Sequence, residues 1–511
     1  MIEMRRAQLS FGDGLIAEEV SDLRDYWMAA ADRVLADTEI LTAVYEALAQ
    51  RHPKSRSRGR KGTAAEIVLR LLVLKHMRNW SYEVLEREVR ANLVYRDFTC
   101  VGGGKVPDAK TMGRWGMAVE PQVLERIHAR IVTIARERGV VAGRRMRVDT
   151  TVVETNIHYP TDSSLLGDGV KVLTRTMKKI TKIAGAAGTE LRDRSRSVQL
   201  KLLEIARAAR AKGGQSQEKL KSAYSKLLHA TSRVVGQAKR FAEEIAAGVK
   251  QSRFLLKQMV LEGLREELET MVPLVKQVTK QTRARIFRGD TRTPGKILSL
   301  FEPSTELIRK GKAAKPNEFG NMVKLQEAEN QIVVDYVVYA QRPNDADLLI
   351  PAIETHRAKL GRTPYLVAAD AGFYFAKNEA TAEAKGVKRV CIPNRSTKSK
   401  ERRREQKKRW FRNGQKWRTG CEGRISVVKR RHGLNRCRYR GEVGMQRWVG
   451  LGVIADNLVT SAEPCKSKLP SSTLLPIEKS SDIRPGPPAG LGVSKPLTGL
   501  LRPSIFAPRS S

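Results

Sequence analysis

Asp149, Asp370 and Glu422 are the carboxylates of this 511-residue chain whose settings suit divalent-metal chemistry on phosphate esters. Asp149 lies in the strand-like run from Arg145 to Val153, Asp370 closes the apolar run that begins at Tyr365, and Glu422 sits in a segment that otherwise reads as polycation. Residues 395–440 carry 19 Lys or Arg against three acids, so a carboxylate there either pairs with neighbouring arginines or is held for another cation. Cleaving or transferring a phosphodiester needs an activated oxygen nucleophile and a stabilised leaving oxygen, and two Mg²⁺ ions about 3.5–4 Å apart supply both. Mg²⁺ takes oxygen ligands and keeps several waters, so two or three carboxylates plus the substrate phosphate suffice; the same ligands accept Mn²⁺. Carboxylates crowded without a cation raise one another's pKa, which makes such ions part of the site.

The whole chain is strongly basic, with 95 Lys or Arg, 54 Asp or Glu and a formal net charge of +41. That excess repels itself unless a polyanion neutralises it, and each DNA phosphate so neutralised contributes about −0.9 to the log–log salt slope of binding. Nucleic acid is therefore the expected partner. No apolar run of about 18 residues and no signal-peptide pattern is present, so a membrane is not expected and the reading is cytoplasmic. The five cysteines, Cys100, Cys391, Cys421, Cys437 and Cys465, are widely spaced and form no CxxC, so reduced thiols are expected in place of disulfides or a zinc site.

Helical spacing dominates up to residue 140. Ile67, Leu71 and Leu74 form one stripe, Ser81 is placed to cap a second helix carrying Leu85 and Val89, and the pair suggests a helix-turn-helix. Pro107 and Asp108 precede a further short helix, and Leu124, Ile127, Ile131 and Ile134 line one that Gly139 stops. Arg70, Lys75, Arg78, Arg87 and Arg90 favour a DNA-contacting or dimerising bundle over an ordinary one. From Arg145 the apolar residues alternate, with Asp149 on the face opposite Met146, Val148 and Val152. A charged helical stretch, roughly 168–288, then interrupts the pattern as a long hairpin, with spacings such as Val198, Leu202 and Ile205, and a break at Gly213 and Gly214; its many lysines and arginines fit backbone contact or dimerisation. Beyond residue 320 strand and helix alternate, with strands at 332–340, 365–369 and 388–392, implying parallel strands and right-handed crossovers. Polar groups at carboxyl ends of such strands line the functional crevice, and Asp370 is at one, with Gly372 allowing close backbone approach. Residues 461–511 read as a disordered tail.

Around Glu422, Ile425 and Val428 give the helix a buried side, while Arg418 four residues before and Lys429 seven after share the carboxylate's face. The plainer reading is a surface Arg418–Glu422 pair worth only about 0.3–0.5 kcal/mol, just as a strand-end Asp often caps a turn. The block Arg402, Arg403, Arg404, Lys407 and Lys408, interleaved with Trp410 and Trp417, reads as a DNA clamp, with a solvated loop and core tryptophans as the alternative.

Taken together, several motifs resemble bacterial insertion-sequence transposases of the DDE class, in the broad group that includes insertion sequences four and five. They are Leu71–Leu74, Trp80–Leu85, Tyr95–Phe98, Pro107–Asp108 and Thr111; Val148–Thr151 with His158–Asp162 downstream; Ala369–Phe373; and Arg418 through Glu422 to Lys429, followed by an apolar helix around Trp448–Leu458. The chain departs from that pattern at Gln415, where the family often has Tyr. The resemblance implies an α/β fold: an RNase H-like mixed sheet with flanking helices, spanning 141–460, interrupted by a long helical insertion and preceded by an all-α N-terminal domain, 1–140. It implies that Asp149, Asp370 and Glu422 form the metal-binding triad, that Arg418 and Lys429 contact transposon-end DNA, and that a homodimer acts on two ends. Glu154 and Asp162 are the nearest competing acids, and Asp149 is preferred because it lies within the strand. Two other readings stay open, a decayed or non-catalytic DNA-binding protein and a metal-dependent nuclease without strand transfer.

Overall fold

The alternation that starts at Arg145 becomes the central strand of a six-stranded sheet. The computed structural model describes residues 2–6, 10–51, 53–59, 62–211, 215–309 and 317–461. The strands are β1 (Arg145–Glu154), β2 (Glu306–Arg309), β3 (Asn317–Glu327), β4 (Val333–Tyr339), β5 (Leu366–Ala368) and β6 (Arg389–Cys391), in the order β2-β3-β1-β5-β6 with β4 also paired to β3. β3 runs antiparallel to β1, β2 and β4, while β1, β5 and β6 are mutually parallel neighbours. The sequence pattern implies β4, β5 and β6 in a parallel row. They do share one sense, but β3 and β1 stand between β4 and β5. β3 escapes the apolar pattern because Glu318, Asn321, Lys324, Gln326 and Glu327 are buried polar residues, several of them held by partners on other elements: Lys324 pairs with Asp335 at 2.9 Å, and Gln326 donates to the Ala352 carbonyl at 3.0 Å.

Among the described residues eight α-helices precede the sheet: α1 (Phe11–Glu19), α2 (Tyr26–Leu35), α3 (Thr38–Arg51), α4 (Ala65–Met77), α5 (Tyr82–Ala91), α6 (Leu93–Phe98), α7 (Ala109–Ala118) and α8 (Pro121–Glu137). Ser81 caps α5 by accepting from the Val84 amide at 3.2 Å, and Asp108 caps α7 through Thr111 at 2.9 Å. α8 buries Leu124, Ile127, Ile131 and Ile134, and the chain turns at Gly139 with φ +70°. α4 buries twelve of its thirteen residues, so it has no free face to lay in a DNA groove. The expectation that Arg70 and Lys75 edge a DNA-contacting bundle is therefore corrected. Arg70 pairs with Asp32 and Glu66 and donates to the Phe98 carbonyl at 3.0 Å. The Lys75 ammonium lies 4.8 Å from the Tyr82 ring, 5.0 Å from Tyr439 and 4.8 Å from Trp448.

After β1 the chain enters α9 (Asp162–Ala184), α10 (Ser195–Arg210), α11 (Ser216–Ala246) and α12 (Leu255–Arg288). These four helices replace the expected single hairpin, and they enclose their own core, including Leu166, Leu173, Leu227, Phe241, Leu268 and Val275. Gly213 and Gly214 lie outside the described residues. The return half of the chain adds α13 (Leu349–Leu360), α14 (Ala376–Ala384), α15 (Lys400–Lys407), α16 (Arg409–Arg431) and α17 (Gly441–Thr460). From Trp448 onward α17 is buried on nearly every side: Leu451, Ile454 and Leu458 complete the core of the N-terminal helices, while Trp448, Val449 and Val453 pack against the sheet. At about 1.5–3 kcal/mol per buried large apolar side chain, this one helix ties both parts together. The result is the mixed α/β architecture with flanking helices, inserted helices and preceding all-α region that the sequence implies. No described helix is long and apolar enough to cross a membrane. The expected disordered tail falls outside the described residues.

Candidate active site

Parallel register fixes two of the three acids. β1 pairs in parallel with β5 as far as Arg147 and Ala368; Asp149 follows two residues on within β1, and Asp370 lies two residues past the end of β5. Asp149 shares the parity of Arg147 and so the face over which α16 lies: Arg147 stacks on Trp417, 5.0 Å from its ring, and Ala368 of β5 clusters with Phe411 on that side. Asp149 is half-buried, and its Oδ1 accepts from the Thr150 amide at 2.7 Å. Asp370 caps the short turn Ala371–Phe373, accepting from the Gly372 amide at 2.9 Å.

Why α16 lies so close to the sheet is written in its glycines. A Cβ at Gly414 would stand 2.6 Å from Cys391 Sγ, and one at Gly420 would stand 2.2 Å from an Arg147 guanidinium nitrogen. Each glycine costs an α-helix about 1 kcal/mol relative to Ala, offset here by contacts that a side chain would prevent. Arg147 then locks the interface. It pairs with Glu327 on β3 at 2.5 Å, both side chains buried, and donates to the Trp417 carbonyl at 2.7 Å. Burial pushes the Glu327 carboxyl up even against Arg147, and burial followed by Glu327 and Asp149 pushes the Cys421 thiol well up. Asp149 thus acts on the residue immediately before Glu422. Lower on α16, Arg424 pairs with Asp456 of α17 at 2.8 Å, which fixes the other end of the segment.

Glu422 itself is 56 % exposed and bound by Arg418 at 2.9 Å. Lys429 is in the last turn of α16, about 10 Å along the helix from Glu422. Among the described residues no three His, Cys, Asp or Glu side chains group closely enough to hold a metal ion. Asp149 lies within β1 and Asp370 just past the end of the neighbouring β5, with α16 packed on both strands, but the three carboxylates are not closed on an ion-sized space. The donor set fits Mg²⁺ or Mn²⁺ in kind, all oxygen and all carboxylate. Glu422 would have to leave Arg418, and a surface pair of this spacing holds it by only about 0.3–0.5 kcal/mol.

Of the basic block, Arg402 is used inside the fold. It pairs with Glu379 at 2.7 Å, donates to the Ile392 carbonyl at 2.8 Å and packs on Tyr374 and Phe411. Arg403, Arg404, Lys407 and Lys408 are exposed. Trp410 and Trp417 are half-buried, lining a 370 Å³ cleft with Arg145, Arg389 and Arg409. Asp162, a competing acid, is buried and paired with Arg285 at 2.8 Å.

Two participants carry no clear sequence signal. Asp345 accepts from the Thr150 hydroxyl at 3.1 Å, and a Cβ on Gly372 would meet Asp345 Oδ2 at 3.3 Å and Asp370 Oδ1 at 3.2 Å, so a further carboxylate stands beside Asp370. Gln415 donates to the Cys391 carbonyl at 2.6 Å and the Ala369 carbonyl at 3.4 Å, bridging the ends of β6 and β5 beside Asp370. The departure from the family pattern at this position is therefore a built contact.

Residues 23–116 match the family described as Transposase domain (DUF772), and residues 376–460 match the family described as Transposase DDE domain. The chain resembles transposases in two separate segments. The first transposase match covers α2 through most of α7; the second covers α14 to α17 and contains Arg418, Glu422 and Lys429, with Asp149 and Asp370 outside it. A protein of Rhizobium meliloti described as uncharacterized protein ORF8 in nfe locus is 35% identical over 129 residues, 24% of this chain and 61% of that protein. The chain thus spans less than two thirds of that relative. No solved structure matches.

Proposed function

We propose that the protein is a DDE transposase that binds the terminal inverted repeats of an insertion sequence, cuts phosphodiester bonds with divalent metal and joins the freed 3′-hydroxyl to target DNA. The observation that carries this reading is the parallel pairing of β1 with β5, which sets Asp149 within one strand and Asp370 two residues past the end of its neighbour, with α16, the helix of Glu422, packed on the same two strands through Trp417 and Phe411. Asp149, Asp370 and Glu422 would hold the ions, with Asp345 at their side. Bound divalent ions supply an activated water and neutralise charge on the scissile phosphate. Gln415 keeps the ends of β5 and β6 together, beside Asp370. When Glu422 turns from Arg418, the guanidinium is released to a DNA phosphate, and Lys429, Arg403, Arg404, Lys407 and Lys408 extend that basic surface. Cutting two ends requires two such sites, so the working form is a homodimer on DNA.

Asp149→Asn keeps the strand and its shape but removes the charge. It is expected to abolish cleavage and strand transfer while leaving end binding within about threefold, a difference of under 1 kcal/mol. Paired end duplexes, a target plasmid and Mg²⁺ provide the assay. Equal cleavage by the variant refutes the assignment. The paired state of Glu422 also favours a second reading, a chain that binds ends without cutting; the native protein would then bind the duplexes and leave them intact.

A further inference from the structure

The inserted helices carry a cationic groove that the site on the sheet does not use. Its walls are α11 and α12, its volume is 560 Å³, and Lys239, Lys276, Lys280, Arg283 and Arg288 line it with no acid among the lining residues. All five are exposed. Among the described residues none of the five has an acid within ion-pair distance, whereas Arg285 on the same half of α12 is taken by Asp162.

The charge on α12 is also segregated along its length. Positions 255–269 hold four acids and two cations, while positions 270–288 hold five cations and no acid. A helix that needed only solubility would mix the signs, as exposed i,i+4 pairs do. Here the Lys239 and Lys276 ammonium groups lie against one another, and that contact holds the Lys276 amine below its ordinary value. An arrangement that brings like charges together is tolerated best when an anion lies between them. From position 276 to 288 the helix rises about 18 Å, a span along which duplex DNA presents about ten phosphates at one per 1.7 Å of axis. A single small anion would leave most of that line unneutralised.

We infer that this α11–α12 groove binds the backbone of duplex DNA, without regard to sequence, through Lys239, Lys276, Lys280, Arg283 and Arg288. The inference rests on the transposase reading and extends it to a second DNA contact, carried by the insertion. The inserted helices then hold the duplex beyond the segment being cut.

The test uses the full chain with all five residues changed to Gln, and a labelled duplex of arbitrary sequence titrated by fluorescence anisotropy between 50 and 300 mM salt. Native protein should bind with a steep salt slope; the variant should lose about 3 to 4.5 of that slope and at least about tenfold in affinity at the lowest salt, equally for end and unrelated duplexes. A second measurement needs no variant: bound duplex should reduce acetylation of Lys276 and Lys280 in native protein several-fold by mass spectrometry. An unchanged slope together with unprotected lysines, in a chain that does bind DNA, overturns the groove assignment alone. Failure of the native chain to bind any duplex overturns the transposase reading and this inference with it.

Discussion

In the N-terminal helices the cations at Arg70, Lys75 and Arg78 are consumed inside the fold, whereas those at Lys239, Lys276, Lys280 and Arg283 stand outside it. Both sets lie on helices or at their ends. What separates them is the surroundings. Arg70 and Arg78 meet Asp32, Glu66 and Asp25, and Lys75 meets three aromatic rings. The inserted cations meet one another. A net charge of +41 therefore overstates what is available to a polyanion in one region and describes it fairly in the other. The arginines that do remain outward on α5, Arg87 and Arg90, are paired with Glu88 and Glu86.

The contrast breaks first at Arg70. Its guanidinium is 4 % exposed, so Arg70→Met would leave Asp32 and Glu66 facing an apolar side chain. Removing one partner of a buried pair costs about 3–5 kcal/mol, and the part-exposed Asp32, also held by Arg24, places this case near the lower figure. Chemical denaturation should show that loss with DNA affinity unchanged. A variant of native stability that binds DNA more weakly would put Arg70 in the other class of cation.

Lys75 gives a smaller and pH-dependent effect. Burial first, then Arg438, lowers its amine from 10.5 to about 7, against the upward pull of Cys437 and Glu83. Tyr82, Tyr439 and His76 also face this corner, and burial holds His76 neutral and both tyrosines protonated. Between pH 7 and 10.5 the unfolded chain holds a proton that the folded chain has released, so stability rises with pH across that window; below pH 7 the full penalty of burying the ammonium is present. From pH 7 to pH 9 native protein should gain about 2–3 kcal/mol relative to Lys75→Met. Parallel curves for the two proteins would mean that the ammonium keeps its charge among the rings.

The same contrast explains what can be read from residues alone. Local signals survive: the Ser81 and Asp108 caps, the α8 stripe ending at Gly139, and the alternation that sets Asp149 within β1 all depend on neighbours a few positions away. The places of Asp149 within β1 and of Asp370 just past the end of β5 are legible for that reason. β3 is not, because the partners of its buried polar residues are distant in sequence, as Arg147 is from Glu327 by some 180 positions. Nor are the roles of Arg402, Gln415 and Asp345. A basic block, a Gln and a helix-opening Asp have ordinary local meanings, and only packing sets Arg402 on Glu379, Gln415 on two strand ends and Asp345 beside Asp370.

The smallest expected effect is the most discriminating. Lys276→Gln removes a charge that has no acidic partner among the described residues and a close like-charged neighbour in Lys239. If the groove cations are kept for a ligand, their removal should not weaken the free protein. Its melting temperature should equal that of native protein or exceed it slightly at low salt, and the two should converge above about 0.5 M salt, where screening shortens the reach of the repulsion to a few ångströms. DNA should reverse the order: saturating duplex at low salt should raise the native melting temperature more than that of the variant, because a ligand stabilises in proportion to the logarithm of its occupancy ratio. A Lys276→Gln protein that melts well below native without DNA would show the lysine serving the fold, as Arg70 does, and the two regions would no longer differ in kind.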